Sequence, residues 1–345
     1  MTNKTAFIFP GQGSQTVGMG RELAKMYPVA QQTFDEADEA VGFKLSQVCW
    51  EGPEETLRLT HITQPAILTM SVAAFRVLQE KGIVPAAVAG HSLGEYSAHV
   101  AACTLEFQDA VRTVNKRGHY MQEAVPVGEG AMAAVLGMKW EELRSVCDYA
   151  TRAAGVGEGS SDEAARITES TASPDSPAAI RDKVCQPANI NSPEQIVISG
   201  SKAAVERAAD LAKQRGAKRA IMLPVSAPFH CALMQPAQDR LAADLRDLKF
   251  LSMCVPLVTN VDAEWISDAE KARDALIRQV TGAVRWAECM RVLIERGIDT
   301  FIEVGPGKVL CGLMRQIDRS KTCLNAEDEA SLQKVVNHFA GAEVK

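Results

Sequence analysis

Five residues, Gly90-His91-Ser92-Leu93-Gly94, say more about how this chain folds than any other stretch. They lie between a short apolar run, Val84 to Ala89, and a helix-forming segment from Leu93 to about Ala102. A run that short, stopped by glycine and followed by a helical period, reads as a buried strand turning sharply into a helix. In that context the pattern G-x-S-x-G pushes Ser92 Oγ out of the sheet at the helix N-terminus. The flanking glycines let neighbouring backbone approach where a Cβ would clash. The backbone N–H of Leu93 then points to where negative charge would form on an attacked carbonyl oxygen, with the helix dipole behind it. The plain alternative is a glycine-rich turn with a capping serine.

The same alternation recurs along the chain. Ala6 to Phe9, stopped by Pro10-Gly11, reads as a first buried strand. Residues 16–41 and 66–80 follow a helical period, the latter with Ile67, Met70, Ala74 and Leu78 on one face, and Phe107 to Ala124 gives another helix. Strand–turn–helix units in series predict a mostly parallel sheet with helices on both faces. At Gly128-Glu129-Gly130 the texture changes. Strands at 131–137, 190–191, 196–199 and 219–223, with helices at 140–152 and 203–214, give the order β-α-β-β-α-β of a small ferredoxin-like unit. The expected division is therefore a large unit, 1–127 and 225–345, interrupted by a small one, 128–224. A stretch poor in large apolar residues, about 153–183, is expected to be an exposed loop. Phe301 to Val304, closed by Gly305-Pro306-Gly307, is a late strand.

Composition removes several function classes. With 37 Lys and Arg against 43 Asp and Glu, the net charge of −6 offers no concentrated positive field, so neither nucleic acid nor an anionic membrane is expected as the main partner. No run of 18 apolar residues spans a membrane, and the apolar N-terminal run is too short for a secretory signal. Nine cysteines, with no C-x-x-C pair, argue against a disulfide framework or a zinc ribbon and favour a reducing compartment, the cytoplasm. The six histidines show no zinc-binding spacing, so no metal is expected. No coiled coil or interface stripe is seen, and a monomer is expected.

A serine nucleophile needs a base. His91 lies inside the turn with its side chain directed away. His99 is two helical turns on, His119 is on a more distant helix, and His61 and His338 have no supporting pattern. His230, in Val225-Ser226-Ala227-Pro228-Phe229-His230, falls at the sheet edge where Ser92 sits; its bland alternative is a capping or core histidine. No Asp or Glu between Ser92 and His230 stands out to orient the imidazole; a backbone carbonyl could be the third group instead. After the first strand, Gly11-Gln12-Gly13 fits neither the dinucleotide fingerprint nor a P-loop. A second oxyanion donor from the Gln12 backbone fits there, as does a plain tight turn. Arg117, if it points inward, could grip a carboxylate with two parallel bonds, as lysine cannot.

These pieces together resemble the malonyl-CoA:acyl carrier protein transacylases, acyltransferases of fatty-acid and polyketide synthesis. The resemblance rests on Phe9-Pro10-Gly11-Gln12-Gly13-Ser14-Gln15, Thr63-Gln64-Pro65-Ala66, Gly90 to Ala98, Arg117-Gly118, Phe229-His230, Asn260-Val261-Asp262 and Glu303 to Lys308, all in order over nearly the whole chain. It implies an α/β fold with a hydrolase-like sheet and an inserted ferredoxin-like subdomain. It implies Ser92 as the acylated nucleophile, His230 as its base, and the Gln12 and Leu93 amides as the oxyanion hole. It also implies Arg117 on the malonyl carboxylate and the Gln279 carbonyl as the group that orients the histidine. Malonyl-CoA would be a substrate, no cofactor being needed, and acyl carrier protein the acceptor. Two basic clusters offer themselves to that acidic partner: Lys213, Arg215, Lys218 and Arg219, and Arg315, Arg319 and Lys321. The chain departs from the family in extra length at about 153–183. Rival readings are a serine hydrolase or thioesterase, and a non-enzymatic scaffold on this fold.

Overall fold

The computed structural model describes residues 4–153 and 183–340; the polar stretch expected as a loop lies, apart from its ends, outside them. Along the chain the strands are β1 (Thr5–Phe9), β2 (Ala87–Gly90), β3 (Gly130–Leu136), β4 (Cys185–Ser192), β5 (Gln195–Ser201), β6 (Arg219–Met222), β7 (Leu257–Val258), β8 (Trp265–Ile266), β9 (Thr300–Val304) and β10 (Thr322–Ala326). They form a larger sheet, in the order β10-β9-β1-β2-β7-β8, parallel except where β8 runs against β7. A smaller sheet, β4-β5-β3-β6, is antiparallel throughout. The mostly parallel sheet and the small β-α-β-β-α-β sheet are those the sequence predicts.

The parallel sheet is buried on both faces, so its strands carry unbroken apolar runs. On β1, Phe7 and Phe9 turn towards the helix Thr60–Glu80, where Phe75 meets both rings edge-on at 6.1 and 6.3 Å between centroids. Ala6 and Ile8 turn the other way, into a cluster with Trp286, Met290 and Leu313. Each buried phenylalanine contributes about 2–3 kcal/mol relative to exposure. On the small sheet, Ala133, Val135, Ile196 and Ile198 pack under the helices Trp140–Ala153 and Lys202–Gln214. Met132, Ala134 and Val197, on its other face, join the main core. A backbone junction ties the sheets: Ile190 N–H donates to Val284 O, and Val284 N–H to Ala188 O, both at 2.8 Å.

Several expectations are corrected. Residues 16–41 form not one helix but two, Arg21–Met26 and Pro28–Val41. Pro28 has no N–H to donate and forces Tyr27 into extended backbone, φ −123° and ψ 113°, which ends the first helix. The strand read at 190–191 runs the full length of β4, its polar side chains having masked the period. The cysteine reading also fails: Cys103 pairs with Cys254 and Cys311 with Cys323, at Cα separations of 5.8 and 5.4 Å. Partners 151 residues apart in sequence leave no local spacing signature, and the cysteine count therefore says nothing about compartment. Among the described residues no helix is long and apolar enough to cross a membrane, and no cluster of His, Cys, Asp or Glu is arranged to hold a metal ion.

The turn after β2 is packed against β1 by backbone alone. A Cβ at Gly94 would fall on the Phe9 carbonyl, and one at Gly90 on the Gly94 carbonyl. Gly94→Ala is expected to lower the unfolding free energy by roughly 2–4 kcal/mol, a main-chain clash that no rotamer relieves; urea denaturation against wild type measures it.

Candidate active site

Ser92 stands between β2 and the helix Gly94–Ala101 with φ 51°, left-handed backbone that costs a residue with a Cβ on the order of 1 kcal/mol or more. Hydrogen bonds hold it there. Ser92 N–H donates to Asn260 Oδ1 at 2.7 Å, Asn260 Nδ2 donates to Gly90 O at 2.7 Å, and Gln279 Nε2 donates to Ser92 O at 3.0 Å. One asparagine thus clamps both sides of the turn.

His230 follows the small sheet, also at positive φ, 60°. Its Nε2 lies 2.7 Å from Ser92 Oγ and its Nδ1 2.9 Å from the Gln279 carbonyl. A carbonyl only accepts, so Nδ1 carries the proton and the bare Nε2 accepts from the serine hydroxyl. Burial, and then the Arg117 charge, push the imidazole pKa down to about 3. Two distant segments are therefore needed to make the pair, and the third group is main chain rather than a carboxylate.

Arg117 comes from the helix Phe107–Glu123 and is 2% exposed. Its Nη1 donates to Gln64 Oε1 at 2.8 Å, and its Nη2 donates to Gln279 Oε1 at 3.0 Å and to Ser92 Oγ at 3.3 Å. Local sequence explains the meeting. Pro65, inside the helix Thr60–Glu80, has no N–H for the His61 carbonyl, and Asn115 Nδ2 takes that carbonyl at 2.7 Å instead. Gly118 leaves no side chain between the two helices, since a Cβ there would fall on His61 Cα. The buried guanidinium has no carboxylate within ion-pair distance among the described residues, only neutral oxygens.

The loop after β1 is pressed onto the turn: a Cβ on Gly11 would stand 2.5 Å from His91 O. Among the described residues the backbone N–H groups of Gln12 and Leu93 donate to no protein acceptor. The other histidines have different occupations. His91 Nε2 lies 2.8 Å from Asn191 Oδ1, with its ring against Trp286; His119 stacks on His61; His99 Nδ1 meets Thr104 Oγ1. Sequence reasoning missed four contributors: Asn260, Gln64, Glu95 and the side chain of Gln279. The first three lie in motifs that carried the resemblance, but nothing in their spacing announced a contact with Ser92 or Arg117. Glu95, fully buried, accepts from Gln279 Nε2 at 2.7 Å and from Asn260 N–H at 3.1 Å, and burial pushes its carboxyl up to about 7.

A strained serine, a neutral imidazole on its hydroxyl and a buried cation beside both form an arrangement chemically suited to acyl transfer through a serine ester. Comparison with known proteins bears on the class. A family model described as an acyl transferase domain matches residues 6–161 and 138–338. The malonyl CoA-acyl carrier protein transacylase of Bacillus subtilis is 45% identical over 334 residues, 97% of this chain and 96% of that protein. The crystal structure of an acyl carrier protein S-malonyltransferase from Vibrio cholerae superimposes with a TM-score of 0.86 at 45% identity, covering 96% of this chain and 99% of that one. A malonyl-transacylase in complex with a type II PKS acyl-carrier protein gives 0.87 at 42% identity, covering 97% and 99%. The chain belongs to the acyltransferase family and, within it, to the malonyl-CoA:acyl carrier protein transacylases.

The depressed His230 pKa makes a stability prediction. Below pH 6.5 the unfolded chain takes up a proton that the folded site refuses, so stability falls as pH drops from 6.5 towards about 3. Between pH 7.5 and 5 this amounts to about 2 kcal/mol. In His230→Gln that loss is expected to vanish, and urea titrations of both proteins at the two pH values measure the difference.

Proposed function

We propose that this protein transfers a malonyl group from malonyl-CoA to the phosphopantetheine thiol of acyl carrier protein through a malonyl ester on Ser92, and so supplies extender units for fatty-acid synthesis. The observation that carries the reading is the placement of Arg117, a buried cation with no carboxylate in ion-pair contact among the described residues, hydrogen-bonded to the hydroxyl that His230 faces.

In the first half-reaction Ser92 Oγ attacks the thioester carbonyl while His230 Nε2 takes the hydroxyl proton. The Gln12 and Leu93 amides receive the tetrahedral oxyanion, each such donor being worth about 3 kcal/mol. The carbonyl of Gln279 keeps the imidazole in the tautomer that accepts. His230 returns the proton to the departing coenzyme A sulfur. In the second half it deprotonates the carrier thiol, which attacks the ester and restores Ser92. Each step uses side chains, main chain and the two thiols, with malonyl-CoA as substrate and no cofactor.

Arg117 provides the selection. A malonyl carboxylate completes its fork, whereas an acetyl methyl leaves a desolvated cation facing an apolar group, at a cost of about 1–3 kcal/mol or more. Of the two basic clusters, Lys213 and Lys218 are engaged by Asp210 and Glu194 at 3.1 and 3.2 Å. Arg315, Arg319 and Lys321 form no ion pair among the described residues, and neither do Arg215 and Arg219 of the first cluster; what favours the second is its place, Gln316 between its arginines accepting from Ser192 Oγ at the junction of the two sheets. The acidic carrier protein docks on that cluster in this reading.

Brief exposure to malonyl-, methylmalonyl- and acetyl-CoA, followed by intact-protein mass spectrometry, is expected to show one malonyl group on the wild type and none on Ser92→Ala. Turnover to free malonate without carrier protein would instead mark a hydrolase. Arg117→Ala is expected to cut malonyl loading by about 10- to 100-fold and to narrow the preference over acetyl; unchanged preference would remove Arg117 from its role. Arg315→Glu together with Arg319→Glu is expected to raise the apparent KM for carrier protein several-fold and to leave that for malonyl-CoA unchanged.

A further inference from the structure

Glu95 has no part in that mechanism, yet its surroundings are those of a working group. It lies one helical turn beyond Ser92, fully buried, in ion-pair contact with no cation among the described residues. A carboxyl group removed from water and left without a cation is costly, and is retained only where its hydrogen bonds do something that an apolar residue could not. Its two oxygens are unequal. Oε2 accepts from Gln279 Nε2 and Asn260 N–H, while Oε1 has no hydrogen-bond partner among the described residues.

The Gln279 side chain is an amide with two chemically opposite ends. Its Nε2 donates to Glu95 Oε2 and to Ser92 O, and its Oε1 accepts from Arg117 Nη2. The reverse orientation would set an NH2 group against the guanidinium and a carbonyl oxygen against two others. We infer that Glu95 is a positioning residue: by holding the donor end of the Gln279 amide it aims the acceptor end at Arg117, and so sets the direction in which the guanidinium fork faces the substrate carboxylate. The acid acts at one remove. A carboxylate in direct contact would occupy the fork that the substrate must fill. Separated from it by one amide, Glu95 orients the group that accepts from the cation and leaves N–H groups of the fork free. This inference rests on the assignment of Arg117 to the malonyl carboxylate and adds the group that orients it.

What Gln279 requires of residue 95 is an acceptor, not a charge. With burial raising its carboxyl to about 7, Glu95 can carry a proton on the unpartnered Oε1 and still accept at Oε2. Glutamine in its place reproduces that arrangement; alanine does not.

The test measures kcat/KM for malonyl and acetyl loading of Ser92 in wild type, Glu95→Gln, Glu95→Ala and Gln279→Met. Gln279→Met keeps the main-chain carbonyl that holds His230 and removes the amide. Glu95→Ala and Gln279→Met are each expected to reduce the malonyl-to-acetyl ratio about 10-fold or more, chiefly through KM for malonyl-CoA, because misplacing a positioning group by about 1 Å has effects of this size. Glu95→Gln is expected to retain the ratio. Should Glu95→Ala fail to fold, Gln279→Met decides, since the amide is the link through which Glu95 acts. Malonyl and acetyl loading falling together, with the ratio unchanged, would show Glu95 to be only structural and overturn the inference while leaving Arg117 in its role. A wild type without any malonyl preference would overturn the Arg117 assignment itself, and this inference with it.

Discussion

Ser92 stands in left-handed backbone at the end of a parallel strand, and everything around it serves to make that position tenable. The glycines at 90 and 94 give up side chains so that the turn can press against β1. Asn260, from the loop after β7, ties the serine amide to the Gly90 carbonyl. Without a rigid parallel sheet on both sides of β2, none of these atoms would hold its place. The depth of the core, with phenylalanines packed edge-on beneath β1, is what turns a strained peptide into a fixed one.

The second constraint is electrostatic. Among the described residues no carboxylate touches the buried Arg117 guanidinium, which lies next to an imidazole that it helps keep neutral. Low dielectric makes both effects strong: the cation that depresses His230 is, in the proposed function, also the one that an incoming carboxylate satisfies. Gln279 joins these two demands in a single residue, with its main chain on His230 and its side chain on Arg117. The His230 imidazole and the Arg117 guanidinium are therefore fixed relative to each other by one residue.

The mostly parallel sheet and the turn were readable because their signals are local, whereas the two-residue strands β7 and β8 and the half-exposed β10, and with them the strand order, were not. A short apolar run followed by glycine and a helical period needs no distant partner, and β1, β2, β3 and β9 all show it. The helix break at Tyr27 was equally local, signalled by Pro28, but a continuing apolar period across it concealed the stop. What could not be read depends on separation in sequence. Asn260 lies 168 residues from the serine it clamps, and Cys254 lies 151 from Cys103. Polar residues in β4 hid a strand whose length is set by its neighbour. Arg117 and Ser92 entered on pattern; that Gln64 would meet the arginine followed from Pro65 and Gly118 only once the two helices were seen together.

The carbonyl behind His230 has one more consequence. Where a serine enzyme places a carboxylate there, the imidazolium is stabilised and the histidine is a competent base even against unreactive acyl groups. Here a dipole replaces the anion and a cation sits alongside, so the histidine is weakly basic. Such a dyad suits an acyl group that is already electrophilic, with sulfur as the atom that departs. A resonance-stabilised amide, whose leaving nitrogen must be protonated, asks more of a base than a dipole-oriented imidazole of this kind offers.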